Sequence, residues 1–164
     1  VVADAIEQHY RPRFAGDDLP AGNIACASAL ADKLDSLVGF FGIGQLPTGD
    51  KDPFGLRRAA LGVLRILMET SLPLDLGELI RDAAAELGKQ GIALTAVHDS
   101  LLTFLLDRLR GMLREAGHAP DVIEAVLNHT PPRLQRTYQR PNMLPPMRKA
   151  LEALEAAVLA IVTP

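Results

Sequence analysis

Apolar residues recur at intervals of three and four along most of the chain, which is the spacing of one face of an α-helix. Between about Asn23 and Phe41 this spacing predicts a first long helix. Lys33 falls nearly opposite the apolar residues, so the pattern places it on the outer face. The predicted buried stripe consists of Ile24, Ala27, Ala31, Leu34, Val38 and Phe41.

A second long helix is predicted from Phe54 to Met68, and it is apolar almost all the way round. Such a helix is usually central in its domain. Asp52 is a suitable N-cap, and Pro53 suits the first helical position because its missing N–H has no partner within a helix. Arg58 and Arg65 share one stripe of this helix, where we expect them to meet carboxylates or an external anion.

Further helical segments flank these two, separated by glycines and prolines. Asp75 with Glu78 three residues later resembles a capping box at the start of one of them. No stretch alternates apolar and polar residues over the length of a strand, so we predict an all-α fold, an irregular multi-helix bundle. The additional predicted helices run from Val1 to about His9, Asp75 to Gly88, Val97 to Gly117, Asp121 to Leu127 and Arg148 to Val162.

Composition sets limits on the class of protein. The chain has 164 residues, 48% of them hydrophobic and 23% charged, which is enough for one domain with a real core. The net charge of −3 excludes a uniformly basic nucleic-acid binder, so any such role must rest on local patches. A single cysteine, Cys26, excludes a disulfide framework or a cysteine-rich metal site and fits a reducing compartment.

No apolar run approaches the length of roughly 20 residues that a membrane-spanning helix needs, so we expect no membrane association. Together with the lone cysteine this predicts a cytoplasmic protein. The chain starts at Val1 without methionine, and we expect it to be a piece of something longer.

The basic residues, thirteen arginines and four lysines, form three clusters. One flanks a proline, one brackets the start of the second long helix, and one surrounds a tyrosine. Helix N-termini and arginine forks favour phosphate, and arginine–aromatic segments can hold RNA by phosphate contact and stacking. Structural ion pairs are the alternative explanation for each cluster. The candidates for RNA contact are Arg11, Arg13, Lys33, Lys51, Arg57, Arg58, Arg133, Arg136, Tyr138 and Arg140.

Catalytic motifs are missing from the sequence: there is no nucleophile elbow, phosphate-binding glycine loop or His-x-x-x-His pair. The segment LADKL around Asp32 resembles the last motif of HD-type phosphohydrolases, in which a helical aspartate is the final metal ligand. That superfamily's other ligands lie upstream, where this chain has only His9, and its one His-Asp pair, His98-Asp99, lies downstream. We therefore predict no metal and no catalytic residue, with Asp32 as an HD-like remnant and both Asp32 and Asp35 paired with arginines.

Three blocks of sequence closely resemble the β subunits of bacterial glycyl-tRNA synthetase. They cover residues 5–20, 29–41 and 47–66, the last reading PTGDKDPFGLRRAALGVLRI. A weaker resemblance covers 104–127. So many matching residues in order are far more specific than a single short motif.

The resemblance implies an enzyme of two α and two β subunits. In it the α subunit activates glycine with ATP and Mg²⁺, and the β subunit serves tRNA recognition. The family's β subunit contains an HD-like helical domain and a C-terminal region resembling the anticodon-binding domain of arginyl-tRNA synthetase. We accordingly expect residues 1–88 to be the latter part of the HD-like domain and 89–164 a helical region leading to the anticodon-binding domain. The proline-rich stretch 131–146 departs from the family pattern.

From this resemblance we expect the chain to support the recognition of tRNA(Gly) by supplying an RNA-binding surface and a scaffold. The expected partners are the α subunit, a second β subunit and tRNA(Gly), and the chain alone should be inactive with no cofactor of its own. Two alternatives stay open. One is a fragment of an HD-type metal-dependent phosphohydrolase, and the other is a purely structural module that docks subunits.

Overall fold

The computed structural model of the chain describes residues 2–70, 72–94 and 96–127. Within these ranges the chain is helical, and its β-structure is limited to an isolated bridge between Thr48 and Lys51. The predicted all-α bundle is therefore confirmed for the part described. The helices are α1 (Val2–Gln8), α2 (Asn23–Gly42), α3 (Leu56–Glu69), α4 (Leu76–Lys89), α5 (His98–Glu115) and α6 (Pro120–Val126).

Two sets of sequence predictions lie outside the described residues. One is the last predicted helix, from Arg148 to Val162. The other is the third basic cluster, which consists of Arg133, Arg136, Tyr138 and Arg140.

Helix α2 is the centre of the described bundle, because α1, α3, α4 and α5 all pack against it. The prediction gave the central place to α3, which contacts only α2 and α5 among the described helices. Each helix around α2 contributes apolar side chains to one core, and fully burying such a side chain stabilises the fold by roughly 1.5–3 kcal/mol. Core residues without solvent exposure include Leu37, Val38, Val63, Ile66, Ile80, Leu101 and Leu105.

The face of α2 that is buried differs from the predicted stripe. Ile24 is 54% exposed, and Ala27 and Ala31 are exposed as well. Because four helices surround α2, its buried arc is wide, and α1 covers the side on which Lys33 lies. Lys33 is only 6% exposed, so its predicted position on the outer face is wrong. The buried residues of α2 are Ala25, Cys26, Ala29, Leu30, Lys33, Leu34, Leu37, Val38, Phe41 and Gly42.

Helix α3 begins at Leu56, later than the start predicted at Pro53. Gly55 precedes it with a φ of 66°, in the left-handed region, so the right-handed helix cannot continue backwards through that residue. Asp52 still satisfies the helix end, since its carboxylate accepts from the backbone N–H groups of Leu56 at 2.8 Å and Arg57 at 3.0 Å.

Helix α4 begins as predicted, because the Asp75 carboxylate accepts from the backbone N–H of Glu78 at 2.8 Å. Helix α5 ends near Gly117, which has a φ of 85°. Leu101 and Leu105 of α5 belong to the same core as α2 and α3. The boundary predicted between residues 88 and 89 stays a prediction.

Candidate nucleic-acid interface

The loop between α1 and α2, residues 9–22, is fixed by one buried carboxylate. Asp17 accepts from the backbone N–H of Arg13 at 2.7 Å, from Arg13 Nε at 3.0 Å and from the backbone N–H of Asp18 at 3.0 Å. Hydrogen bonds from the Arg13 guanidinium and backbone lower the pKa of Asp17 to about 2. Arg13 therefore spends much of its hydrogen-bonding capacity on holding the loop.

Arg65 fastens this loop to α3. Its Nη1 donates to the backbone carbonyl of Asp17 at 2.8 Å, and its Nε lies 2.8 Å from the carboxylate of Glu69 one turn later. The same carboxylate raises the pKa of Arg65. The expectation that Arg65 finds a carboxylate partner is confirmed.

Arg58 differs from its neighbours because it is exposed and has no carboxylate partner in the part of the chain that the structure describes. It lies two helical turns before Arg65 on α3, and both line a cavity of about 210 Å³ together with Pro12 and Phe14 of the loop. The fold therefore brings the loop cluster and one arginine of the α3 cluster to the same side of the molecule.

The other candidates are engaged to different degrees. Arg57 is partly buried and donates from Nη2 to the backbone carbonyl of Gly49, so it ties down the loop before α3. Lys51 is exposed, and its backbone pairs with Thr48. Arg11 is partly buried and reaches Asp18 only at 4.0 Å, the outer limit of an ion pair.

The Lys33 side chain is buried in the contact between α2 and α3, against Gly62, which lines the same cavity. Its Nζ donates to the backbone carbonyl of His9 at 3.3 Å, and burial lowers its pKa. Sequence spacing alone could not reveal this, because the groups that cover Lys33 come from 24 positions earlier and about 30 positions later in the chain.

The sequence predicted that the N-terminus of α3 would be open to an external phosphate, but in the structure this helix end is already occupied. The Asp52 carboxylate already occupies two of its free N–H groups and brings its own negative charge to the positive end of the helix. Any anion at this end must displace or bypass that side chain.

A family model described as glycyl-tRNA synthetase beta subunit matches residues 1–128. The chain belongs to the glycyl-tRNA synthetase β subunit family. The resemblance drawn from the three sequence blocks is thereby confirmed. The match ends before the third basic cluster, whose assignment stays a prediction.

Several relatives named glycine–tRNA ligase beta subunit support this membership of the family. The protein of Aromatoleum aromaticum is 67% identical over 134 residues, covering 82% of this chain and 19% of the relative. The protein of Polaromonas naphthalenivorans is 50% identical over 159 residues, covering 97% of this chain and 22% of the relative. The protein of Yersinia enterocolitica is 54% identical over 132 residues, covering 80% of this chain and 19% of the relative. The chain thus spans about a fifth of the length of these glycyl-tRNA synthetase β subunits.

Asp32, the HD-like residue of this glycyl-tRNA synthetase segment, is exposed on α2, as is Asp35. Neither has an ion-pair partner within the described ranges, so the predicted pairing with arginines is wrong for that part of the chain. Helices α1, α3, α4 and α5 pack against the buried side of α2, and both carboxylates lie outside that arc. No group of three or more His, Cys, Asp or Glu side chains that could hold a metal occurs in the described part. His98 and Asp99 contact each other at 3.0 Å on α5.

No helix in the described part of this family member combines the length and the apolar character needed to cross a bilayer.

Proposed function

We propose that this segment contributes tRNA-contacting surface to a glycine–tRNA ligase β subunit and helps to position tRNA(Gly) for glycylation. In this proposal the α subunit performs glycine activation with ATP and Mg²⁺, within a cytoplasmic assembly of two α and two β subunits. The segment itself carries no catalytic group and is inactive alone. Family membership supports the assignment to the β subunit.

The observation that supports RNA contact is the state of Arg58. Its guanidinium is exposed and lacks a carboxylate partner in the described part, beside a loop that supplies two further arginines. An arginine without a protein partner has all five of its N–H donors available, and their planar fork matches phosphate geometry. Phosphate contacts of this kind hold and orient a nucleic acid without reading its sequence.

The remaining basic residues have supporting roles in this proposal. Arg11 and Lys51 add positive charge near the contact, while Arg13 holds the α1–α2 loop and Arg57 holds the loop before α3. Lys33 is left out because its amine is buried.

The test uses a full-length β subunit that carries this segment, assembled with its α subunit. Replacing Arg58 with alanine removes one phosphate contact, so we expect the KM for tRNA(Gly) to rise about tenfold. The slope of log affinity against log salt should fall by about one. Glycine-dependent ATP–pyrophosphate exchange should stay unchanged, because that step requires no tRNA contact by the β subunit.

Arg81→Ala is the matched control. Arg81 is also an exposed arginine, but it lies on α4, which does not contact α3 within the described residues. We expect it to leave both the KM for tRNA and the salt slope unchanged. If Arg58→Ala also leaves the KM for tRNA and the salt slope unchanged, the proposed contact is wrong. If Arg58→Ala instead prevents assembly with the α subunit, the result favours the structural module that docks subunits.

A further inference from the structure

The cavity beside Arg58 is lined by apolar side chains and a carboxylate, which phosphate binding alone does not require. It lies where the α1–α2 loop meets α3 and the end of α5, and its volume is about 210 Å³. Pockets for drug-sized ligands span about 300–1,000 Å³, so this one suits a single flat ring system rather than a whole nucleotide.

Apolar surface makes up one part of the lining. Pro12 is buried, while Leu61 of α3 and Met112 of α5 are partly buried at the cavity. Phe14 also lines it, yet its side chain is 59% exposed. The Arg13 guanidinium lies 6.0 Å from the centre of the Phe14 ring, at the limit of a cation–π contact. An exposed ring at the edge of an apolar cavity is a ready surface for stacking.

Two charged groups of opposite sign complete the lining. Arg58 and Glu115 both line the cavity, both are exposed, and neither has an ion-pair partner in the described part of the chain. The Arg58 guanidinium lies beside Gly55, one helical turn earlier. The third charged group, Arg65, is already bonded to Glu69 and to the carbonyl of Asp17. Within the described residues, the cavity lining therefore holds one cation and one carboxylate that have no ion-pair partner and are not paired with each other.

This combination narrows the class of ligand. The Glu115 carboxylate disfavours a bare phosphate inside the cavity, because like charges would meet there. A carboxylate is instead an acceptor for amino groups, and in nucleic acids acidic side chains accept from the N4 amino group of cytosine. The aromatic ring and apolar walls suit the face of such a base, and Arg58 suits the phosphate attached to it.

We propose that this cavity binds one unpaired, amino-bearing base of the bound RNA, with cytosine preferred over uracil. The base stacks on Phe14, its amino group donates to Glu115, and its phosphate meets Arg58. This proposal rests on the proposed function, since it adds a base contact to the same RNA-binding surface. No local sequence pattern reveals this site, because Phe14 and Glu115 are 101 positions apart and neither belongs to a basic cluster.

The test measures binding of fluorescein-labelled oligocytidylate and oligouridylate of equal length to the full-length β subunit assembled with its α subunit. We expect oligocytidylate to bind about tenfold more tightly, because uracil presents a carbonyl oxygen where cytosine presents an amino group. Glu115→Gln should bring the preference close to one, since an amide can donate to uracil as well as accept from cytosine. Phe14→Leu should weaken both oligomers about tenfold, whereas Phe14→Tyr, which keeps the ring, should not.

Equal binding of the two oligomers by the unmodified protein would overturn the proposal, as would a cytosine preference that survives Glu115→Gln. Phe14 and Glu115 are both exposed, so these changes should leave folding intact, and a thermal melt of each variant checks this. The tRNA assay with Arg58→Ala on the same protein separates the two proposals. A raised KM for tRNA without a cytosine preference removes the base site and leaves the proposed function standing. A Glu115-dependent preference with an unchanged KM supports the contacts of the base with Phe14 and Glu115, and it overturns the phosphate contact of Arg58 in both proposals.

Discussion

The side chain of Lys33 lies directly against Gly62, where α2 and α3 pack together. A Cβ atom added to Gly62 would be only 2.7 Å from Cε of Lys33 and 3.0 Å from Cδ. The glycine thus leaves the space that the buried lysine fills. The amine then ends at the carbonyl of His9, with no carboxylate bonded to it in the described part.

We predict that Lys33→Met is neutral or stabilising by about 1 kcal/mol at pH 7, because it removes a buried charge that no ion pair compensates within the described residues. Burial lowers the pKa of Lys33 in the folded state, so the unfolded state binds more protons between that lowered pKa and about 10.4. The free energy of unfolding of the unmodified chain should therefore rise with pH across this window, and the variant should lack that share of the slope. Urea denaturation of the unmodified chain and of the variant at several pH values measures the free energy of unfolding and its slope against pH. A large loss of stability in the variant would instead show that the Lys33–His9 bond holds α1 in place.

Gly42→Ala should destabilise the fold by about 1–3 kcal/mol through overpacking. The added Cβ would lie 2.3 Å from Cδ2 of Leu94 and 3.1 Å from its Cγ. Gly111→Ala is the matched control, since nothing lies within 4 Å of its Cβ position on α5, and it should gain about 0.5–1 kcal/mol from helix propensity. Thermal unfolding checks both changes. If the contact with Leu94 is the cause, the cost of Gly42→Ala should shrink in a Leu94→Ala background.

The Asp17 carboxylate should make the fold sensitive to acid. Its pKa is about 2 in the folded state, against about 3.9 for an unfolded aspartate, so its contribution to stability is complete above pH 4. As the pH falls from about 4 to about 2, the unfolded state takes up a proton that the folded state does not, and the contribution is lost. Asp17→Asn should have a lower free energy of unfolding at pH 7. It should also lose less of that free energy as the pH falls from about 4 to about 2. Asp18→Asn makes the same charge change at an exposed side chain and serves as the control. If it reduces the loss of stability between about pH 4 and about pH 2 by the same amount, the Arg13–Asp17 contact is not the cause.

Asp52→Ala should cost about 1 kcal/mol, because the backbone N–H groups of Leu56 and Arg57 lose their acceptor. Asp50→Ala, in the same exposed loop, should change the stability by less than about 0.5 kcal/mol. Denaturant midpoints compare the two. A similar loss in both variants would mean that the charge of the loop, and not the cap, stabilises α3.

The helices themselves were largely predictable from the sequence. The three- and four-residue spacing of apolar positions gave α2 to α5, and the Asp75–Glu78 pattern gave the start of α4. The start of α3 was placed too early because Asp52 and Pro53 both suit a helix start, while the left-handed conformation of Gly55 depends on how the preceding loop folds.

Which side chains meet was predictable only in part. Arg65 found the carboxylate expected of it, since Glu69 is one turn away on the same helix. The burial of Lys33 depends on α1 and α3, which approach α2 only in the folded chain. The cavity likewise joins a loop, the middle of α3 and the end of α5, so no local pattern identifies it.

The bond from Arg65 to the loop ends on a backbone carbonyl, that of Asp17, and not on a side chain. Any residue at position 17 presents a backbone oxygen, but the Asp17 carboxylate also holds the loop conformation that places this oxygen near Arg65. An insertion or deletion between α1 and α2 would move the oxygen itself. Among related chains, an arginine at position 65 should therefore be accompanied by a constant length of the α1–α2 loop.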